Sequence, residues 1–387
     1  MPRAPRLSSA AGALRESIFS RLAGRLAAHA DPVPLHLGDT YLAPPASALV
    51  LDGASATRYG PPGGEPRLVA RLIEKLERQN GLAIAPAQLQ VTCGATHALA
   101  GAARAILEPG DEVILPSPHW PLIGGIVTNA GAVPVEVELS QRLYADPSLD
   151  AGAVLGAAVG PRTAALYVTT PNNPDGKVLS RAQLESIARL AVAHDLWVLA
   201  DEVYEDLVYA GEHLSIATLP GMAERTLTSF SLSKSLALAG YRLGYVVGPA
   251  AVMHAVRKVV NHTVYNVPDV LQAAAAAVVG TPEEQAWRAG IAARYAEARA
   301  LVAAQLPAPG FTPDGGTYYL LDLREAIAAR GEADLWPLVE ALLADGVSIS
   351  PGEQFGAAFA GHARLCFSAV PPERLLLGLA RLRARLA

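Results

Sequence analysis

The sequence predicts an α/β fold in which helices flank a mostly parallel seven-stranded sheet. Of seven short strand-like runs, most are near-continuous apolar runs rather than alternating ones, which is typical of strands buried on both faces. Helical patterns, for example Thr96–Leu107 and Arg181–His194, separate many of these runs, and strands that alternate with helices favour parallel pairing. The predicted strands are Leu89–Cys93, Glu112–Leu115, Val133–Leu139, Ala164–Thr169, Trp197–Ala200, Thr226–Phe230 and Leu243–Val247.

The residues before this sheet predict a helix and an extended arm. Apolar residues recur at four-residue spacing from Leu14 to Leu26, which indicates an amphipathic helix over residues 14–30. Prolines at residues 32, 34, 44 and 45 then indicate an extended segment. A Pro-Pro-Gly-Gly turn at residues 61–64 precedes a second amphipathic helix, which contains Leu68 and Leu76.

The pattern changes after about residue 282, where a smaller α+β domain is expected. Its predicted elements are a long helix over roughly Glu283–Leu306, a strand after the Gly315-Gly316 turn, a helix over residues 335–344, strands at 347–350 and 364–368, and a helix from about Pro372. We therefore divide the chain into an N-terminal helix and arm (residues 1–46), a large domain (47–282) and a small domain (283–387) that the arm joins.

Composition limits the possible classes of function. The chain has 387 residues, of which 51% are hydrophobic and 17% charged, and its net charge of −5 argues against nucleic acid as a main partner. With Cys93 and Cys366 as its two cysteines, it is expected to have no disulfide framework and no metal site. The N-terminus has no continuous apolar core for a signal peptide, and no apolar run reaches membrane-spanning length. We therefore expect a cytoplasmic protein.

The segment from Ser229 to Tyr245 is the most informative one. It places Lys234 between small hydroxyl residues, including Ser231 and Ser233, and adds Arg242 eight positions later. A lysine forms a Schiff base with a carbonyl once its amine is desolvated enough to lose a proton. The serines and the arginine could bind an anion such as a phosphate. The alternative is a solvated lysine in a polar loop.

Two loops after predicted strands also fit a flat anionic ligand. At the first, Gly94, Ala95 and Thr96 begin a helix whose backbone N–H groups could bind an anion, although an ordinary strand-to-helix turn has the same pattern. At the second, Trp120 lies in a proline-rich loop. It could stack on a heterocycle or belong to the core.

Two further loops contribute polar side chains. A tight turn over residues 170–176 fixes Asn173, whose amide could donate to a phenolate or a carboxylate. Asp201 ends a buried strand, and a buried carboxylate needs a partner. That partner is either a pyridinium nitrogen or an arginine in a structural ion pair. Tyr204 follows three residues later.

In this order, these motifs resemble those of the class I/II aminotransferases, which are fold-type I pyridoxal-phosphate enzymes, from about Leu35 to Leu386. The resemblance implies pyridoxal 5'-phosphate as cofactor, bound as a Schiff base to Lys234, which also acts as general base. It further implies that Asp201 pairs with the ring nitrogen, Tyr204 donates to the ring hydroxyl, and Trp120 stacks on the ring. The implied phosphate-binding residues are Gly94, Ala95, Thr96, Ser231, Ser233 and Arg242.

The resemblance also implies a substrate site and a partner. Arg364, preceded by a Pro-Gly-x-x-Phe-Gly stretch at residues 351–356, would bind the substrate α-carboxylate together with Asn173 and Gly38. Tyr59 would reach the phosphate of a neighbouring subunit, which implies a homodimer with shared sites. One departure from the family pattern is Asp175, which replaces the usual threonine of an Asn-Pro-Thr-Gly turn.

The implied activity is ping-pong transfer of an amino group from an L-amino acid to a 2-oxo acid such as 2-oxoglutarate. Some dicarboxylate-specific relatives have an extra cation in one of two segments. The corresponding segments of this chain are residues 261–266 and 94–96, and neither supplies such a cation. A neutral or aromatic donor is therefore favoured. A β-lyase, decarboxylase or cyclising synthase with the same cofactor is the main alternative. A transcription-regulator sensor domain is disfavoured, because only about 35 residues precede the domain and they contain no basic recognition helix.

Overall fold

The computed structural model describes residues 7–14, 16–51, 53–306 and 310–386. The strands are β1 (Val33–Pro34), β2 (Leu89–Cys93), β3 (Glu112–Ser117), β4 (Val133–Glu138), β5 (Thr163–Thr169), β6 (Trp197–Asp201), β7 (Thr226–Ser231), β8 (Leu243–Val247), β9 (Tyr318–Asp322), β10 (Val347–Ser348), β11 (Ser350–Pro351) and β12 (His362–Cys366). The helices are α1 (Ser9–Ala13), α2 (Ile18–Leu26), α3 (Pro66–Lys75), α4 (Gly94–Ile106), α5 (Leu122–Asn129), α6 (Ser140–Ala145), α7 (Ala151–Gly156), α8 (Arg181–Ala193), α9 (Leu232–Ser235), α10 (Ala250–Thr263), α11 (Asp269–Val278), α12 (Pro282–Gln305), α13 (Arg324–Ala329), α14 (Trp336–Ala344) and α15 (Pro372–Leu386).

The central sheet has seven strands in the order β2-β8-β7-β6-β5-β3-β4. Strand β8 pairs antiparallel with both of its neighbours, and the other pairings are parallel. Alternate residues of the middle strands enter different hydrophobic clusters, with Leu166 and Val198 on one face and Tyr167 and Leu199 on the other. Because both faces are buried under helices, the strands carry apolar runs. The predicted fold class is confirmed.

Two smaller sheets lie in the C-terminal part. Strands β11, β12 and β9 form an antiparallel sheet, and β1 of the N-terminal arm pairs parallel with β10. Val33 and Leu35 of the arm share one hydrophobic cluster with Leu342 and Leu379. Burial of these residues thus attaches the arm to the C-terminal sheets, which places Leu37 and Gly38 of the arm next to the carboxyl edge of the central sheet.

Several predicted bounds differ from the observed ones. The helix predicted over residues 14–30 is limited to α2, because Ser17 takes an extended conformation and the His29 side chain accepts a hydrogen bond from the Asp31 backbone after the helix ends. Residues 1–6 and 15 of the predicted N-terminal unit lie outside the described residues. The strand predicted at residues 347–350 is two strands, since β10 pairs with β1 and β11 pairs with β12. Within the described ranges, no helix combines the length and apolar character needed to cross a bilayer.

Candidate active site

A cavity of about 210 Å³ lies where the carboxyl ends of β2, β3, β5, β6 and β7 meet the arm and the antiparallel sheet. This is the edge at which parallel α/β sheets bind ligands. The predicted site residues that line it are Gly38, Ala95, Thr96, Trp120, Asn173, Asp201, Tyr204, Ser231, Ser233, Lys234, Arg242 and Arg364. Gly94 lies directly behind this lining.

Tyr59 is the predicted site residue that the structure does not bring to this cavity. Its side chain is 85% exposed and meets the Tyr265 ring edge-on, with ring centroids 5.1 Å apart. Its predicted contact is with a neighbouring subunit, so its role stays a prediction.

Lys234 lies in the one-turn helix α9, directly after β7. The Ser231 hydroxyl caps this helix by accepting a hydrogen bond from the Ser233 backbone N–H at 3.1 Å. This cap directs the following lysine into the cavity, where its Nζ donates to the Gly38 carbonyl oxygen of the arm. The side chain is partly buried, unlike the solvated lysine considered as the alternative.

Gly94 and Arg242 form a cradle for an anion. Gly94 begins α4 with φ +75°, and a Cβ built on it would lie 2.6 Å from Nη2 of Arg242. Glycine is therefore required both by the left-handed backbone and by the close guanidinium. The first backbone N–H groups of a helix and an adjacent arginine are the groups that bind phosphate.

Asp201 ends β6 with a buried carboxylate that has capacity for one more partner. Its Oδ2 accepts a hydrogen bond from the Tyr167 hydroxyl at 2.8 Å, and its Oδ1 has no side-chain partner among the described residues. Burial raises the pKa of Asp201 to about 6, against the opposing effect of the Tyr167 hydrogen bond. Over the described residues Asp201 forms no ion pair with an arginine, so the structural Asp–Arg alternative is wrong.

Arg364 is held rigidly in β12 beside the cavity. Its Nη1 donates to Oδ1 of Asn173 at 2.9 Å and its Nη2 to the His36 carbonyl at 2.7 Å. Its guanidinium lies 4.2 Å from the ring centroid of Tyr318 and 5.1 Å from that of Phe355. A planar cation fixed in this way is pre-organised to bind a carboxylate through two parallel hydrogen bonds.

Asn173 is presented by a turn that Asp175 braces from within. The buried Asp175 carboxylate accepts hydrogen bonds from Asn172 Nδ2 at 2.7 Å and from Gln141 Nε2 at 3.0 Å. Because Arg364 donates to Oδ1 of Asn173, the amide Nδ2 is the group left to donate into the cavity. Asp175, which stands where the family has threonine, thus supports this turn.

Sequence reasoning missed two tyrosines of the site. Tyr167 supports Asp201, and the hydroxyl of Tyr318 lies 2.8 Å from that of Tyr204. Burial raises the pKa of Tyr204 well above its usual value, so the hydroxyl keeps its proton. Tyr318 stands at the start of a predicted strand, but the sequence alone does not say whether it or Tyr319 faces the cavity.

A second polar cluster lies beneath the site. Glu202, Glu205 and His213 bring ligand-type atoms within 4.8 Å of one another. The Lys75 ammonium pairs with Glu205, and His213 pairs with Glu202 at 3.1 Å. These charges neutralise one another, so the cluster is better described as a buried ion-pair network than as a metal centre.

These residues fit pyridoxal 5'-phosphate group by group. The Gly94–Arg242 cradle suits the phosphate, the unpartnered Oδ1 of Asp201 suits a protonated ring nitrogen, and the amine of Lys234 suits the aldehyde. Trp120, partly buried in the cavity wall, offers a face for the ring.

Comparison with known proteins gives the same assignment. The family model for aminotransferase class I and II matches residues 38–382. An arginine–pyruvate transaminase of Pseudomonas aeruginosa is 36% identical over 369 residues, which are 92% of this chain and 90% of the relative. The aspartate/prephenate aminotransferase of Thermus thermophilus is 39% identical over 322 residues, 81% of this chain and 79% of the relative.

A solved structure agrees over the whole fold. The aspartate aminotransferase from Thermus thermophilus with maleate superposes with a TM-score of 0.90 at 33% identity, covering 99% of this chain and 100% of that one. The chain therefore belongs to the class I and II aminotransferases, pyridoxal-phosphate-dependent enzymes that transfer amino groups between amino acids and 2-oxo acids.

Proposed function

We propose that this aminotransferase takes a neutral or aromatic L-amino acid as amino donor and a 2-oxo acid such as 2-oxoglutarate as acceptor. One observation carries the proposal: the Arg364 guanidinium, held by Asn173 and the His36 carbonyl, lines the same cavity of about 210 Å³ as the Lys234 amine and the Asp201 carboxylate.

The residues of the cavity divide the work between binding and proton transfer. When bound, the cofactor supplies an electron sink for the charge that develops at the donor's Cα. Arg364 binds the donor carboxylate, with Asn173 and the backbone of Gly38 beside it. With the cofactor bound, Lys234 Nζ would accept the proton from Cα, Asp201 would keep the ring nitrogen protonated, and Tyr204 would donate to the ring hydroxyl.

The charges of the cavity support the choice of donor. Among the described residues that line it, the cations are Lys234, Arg242 and Arg364, and each has one of the tasks given above. The described part of this chain therefore supplies no fourth cation to this cavity, and a donor's side-chain carboxylate would have no positive partner there. An adjoining cavity of about 520 Å³ shares Thr96 and includes Glu16 and Glu136, which disfavour an acidic side chain there. The relatives' names include arginine, aspartate and prephenate, so similarity alone leaves the donor open.

A panel of amino donors tests this proposal. The cofactor-loaded protein is mixed with single L-amino acids without acceptor, and loss of its visible absorbance band is followed. We expect phenylalanine and neutral amino acids to bleach the band faster than aspartate and to leave the amino form of the cofactor. Faster bleaching by aspartate would overturn the donor assignment. Product release without conversion of the cofactor would favour a lyase or decarboxylase, which the same residues could support.

We also propose a homodimer with shared sites. Leu49, Val50 and Leu51, which end eight positions before Tyr59, are each more than half exposed and form an apolar surface that a second copy would cover. Lys234→Ala and Tyr59→Ala chains, each impaired alone, should regain activity when combined, because one site of the hybrid is intact. The proposal would be contradicted if the mixed dimer forms but stays as inactive as the single variants, or if the protein sediments as a monomer.

Two further predictions stay proposals. The division at residues 46 and 282 is supported by the hydrophobic cluster that joins the arm to the C-terminal part, separate from the clusters of the central sheet. A cytoplasmic location is supported by Cys93 and Cys366, which are both unpaired thiols.

A further inference from the structure

We propose that Tyr318 is a positioning residue that fixes the Arg364 guanidinium and the Tyr204 hydroxyl in one arrangement, and so couples the carboxylate side of the cavity to its cofactor side. The inference rests on the proposed function, which assigns the donor carboxylate to Arg364 and the ring hydroxyl to Tyr204.

The register of the antiparallel sheet brings Tyr318 to Arg364. Tyr318 pairs with Cys366 across β9 and β12, and Leu320 pairs with Arg364. Tyr318 and Arg364 are thus diagonal neighbours on one face, within reach of long side chains. Tyr319, the next residue, points to the opposite face.

The ring of Tyr318 forms one wall of the slot that holds Arg364. The guanidinium lies 4.2 Å from its centroid, with the Phe355 ring at 5.1 Å. An aromatic face attracts a cation and limits rotation of its plane. The ring therefore sets the direction of the two N–H groups that would bind the donor carboxylate.

The hydroxyl of Tyr318 acts on Tyr204 rather than on Arg364. The two hydroxyl oxygens are 2.8 Å apart and both residues are buried. A phenol has one proton to donate and two lone pairs that accept. If Tyr204 donates its proton into the cavity, its oxygen must accept from Tyr318, which makes Tyr318 the group that sets the direction of the Tyr204 proton.

The arm encloses this pair. A Cβ on Gly38 would lie 1.7 Å from the Tyr318 hydroxyl oxygen, so only glycine lets the arm pass there. The carbonyl oxygen of the same glycine accepts a hydrogen bond from Nζ of Lys234. Tyr318 thus contacts the carboxylate arginine, the cofactor-facing tyrosine and the arm that covers the lysine.

Two substitutions separate the ring from the hydroxyl. Tyr318→Phe keeps the ring against Arg364 and removes the hydroxyl, whereas Tyr318→Leu removes the ring as well. Tyr319→Phe is the matched control, because its hydroxyl is on the opposite face of β9, away from Arg364 and Tyr204. The readouts are the pH titration of the visible band of the cofactor-loaded protein, and kcat and KM for L-phenylalanine.

We expect Tyr318→Phe to raise the midpoint of the absorbance titration by about 0.5 to 1 pH unit. The reason is that Tyr204 then donates a weaker hydrogen bond to the charged ring oxygen of the cofactor. Tyr318→Leu should in addition raise KM about tenfold, because the guanidinium loses its aromatic wall. Titration and KM values equal to those of Tyr319→Phe in both variants would overturn the proposal.

The same measurements distinguish a wrong functional assignment from a wrong role for Tyr318. If the unmodified protein forms the band but does not transaminate, the function is wrong and the absorbance titration still decides the role of Tyr318. If the unmodified protein forms no band, both are overturned.

Discussion

Replacement of Arg364 by methionine should separate carboxylate binding from the rest of catalysis. Methionine keeps an unbranched apolar chain that fills the slot between the Tyr318 and Phe355 rings, and removes the cation together with its hydrogen bonds to Asn173 and the His36 carbonyl. In the folded protein Arg364 is already fixed by Asn173 and the His36 carbonyl, so it binds a carboxylate without further ordering.

The expected magnitude follows from the two hydrogen bonds of a bidentate pair. A hydrogen bond to a charged group contributes about 1.5–3 kcal/mol, so their loss raises the barrier by about 3–6 kcal/mol. Since about 1.4 kcal/mol corresponds to a factor of ten, kcat/KM should fall about 10²- to 10⁴-fold.

The assay compares L-phenylalanine with phenethylamine, which has the same side chain but lacks the carboxylate. In the Arg364→Met variant, kcat/KM for phenylalanine should fall by the whole predicted factor. The value of kcat/KM for the slowly reacting amine should change less than threefold, which corresponds to about 0.6 kcal/mol. Arg324→Met is a matched control, because Arg324 is exposed and pairs with Asp322 away from the cavity. A loss below tenfold for phenylalanine, or an equal loss for the amine, would refute the assignment of Arg364.

Two further predictions concern buried carboxylates. The raised pKa of Asp201, about 6 against an ordinary 3.8, means that the cofactor-free protein loses stability as the pH rises through this interval, by about 3 kcal/mol in total at about 1.4 kcal/mol per pKa unit. Asp201→Asn should remove this loss, so the variant's free energy of unfolding relative to the parent rises between pH 4 and pH 7 in urea titrations; a pH-independent difference would contradict the burial argument. Asp175→Ala should lower the free energy of unfolding by about 1–3 kcal/mol for each buried donor it leaves unpaired and raise KM more than it lowers kcat, because the turn holding Asn173 loosens. Asp175→Asn, which keeps an acceptor, should recover most of the loss in thermal melts and kinetics, and an alanine variant indistinguishable from the parent would show that the network does not brace the turn.

The sequence was sufficient to predict the central sheet and the residues at its carboxyl edge. Most strands buried on both faces carry near-continuous apolar runs, and loops that follow parallel strands meet at one edge, so residues as distant as Ala95 and Lys234 could be assigned to one site. The bounds of strands β2 and β8 were predicted to the residue, since each strand stops directly before a glycine, Gly94 or Gly248.

The remaining features depend on packing that no local pattern encodes. Which of Tyr318 and Tyr319 faces the cavity is set by the register of β9 against β12. Tyr167 looks like any aromatic residue of a buried strand, and its role appears only when Asp201 is beside it. The predicted strand at residues 347–350 is divided because two different neighbours compete for its hydrogen bonds. Tyr59 would need a second chain to complete its contact.

The most direct test of the account asks which residue is bonded to the cofactor. The protein is loaded with pyridoxal 5'-phosphate, reduced with borohydride, digested, and analysed by peptide mass spectrometry, with Lys234→Ala treated in parallel. We expect one modified peptide, which contains Lys234, and an unmodified variant without the visible band. A label on another lysine, or a variant that keeps both band and turnover, would contradict it.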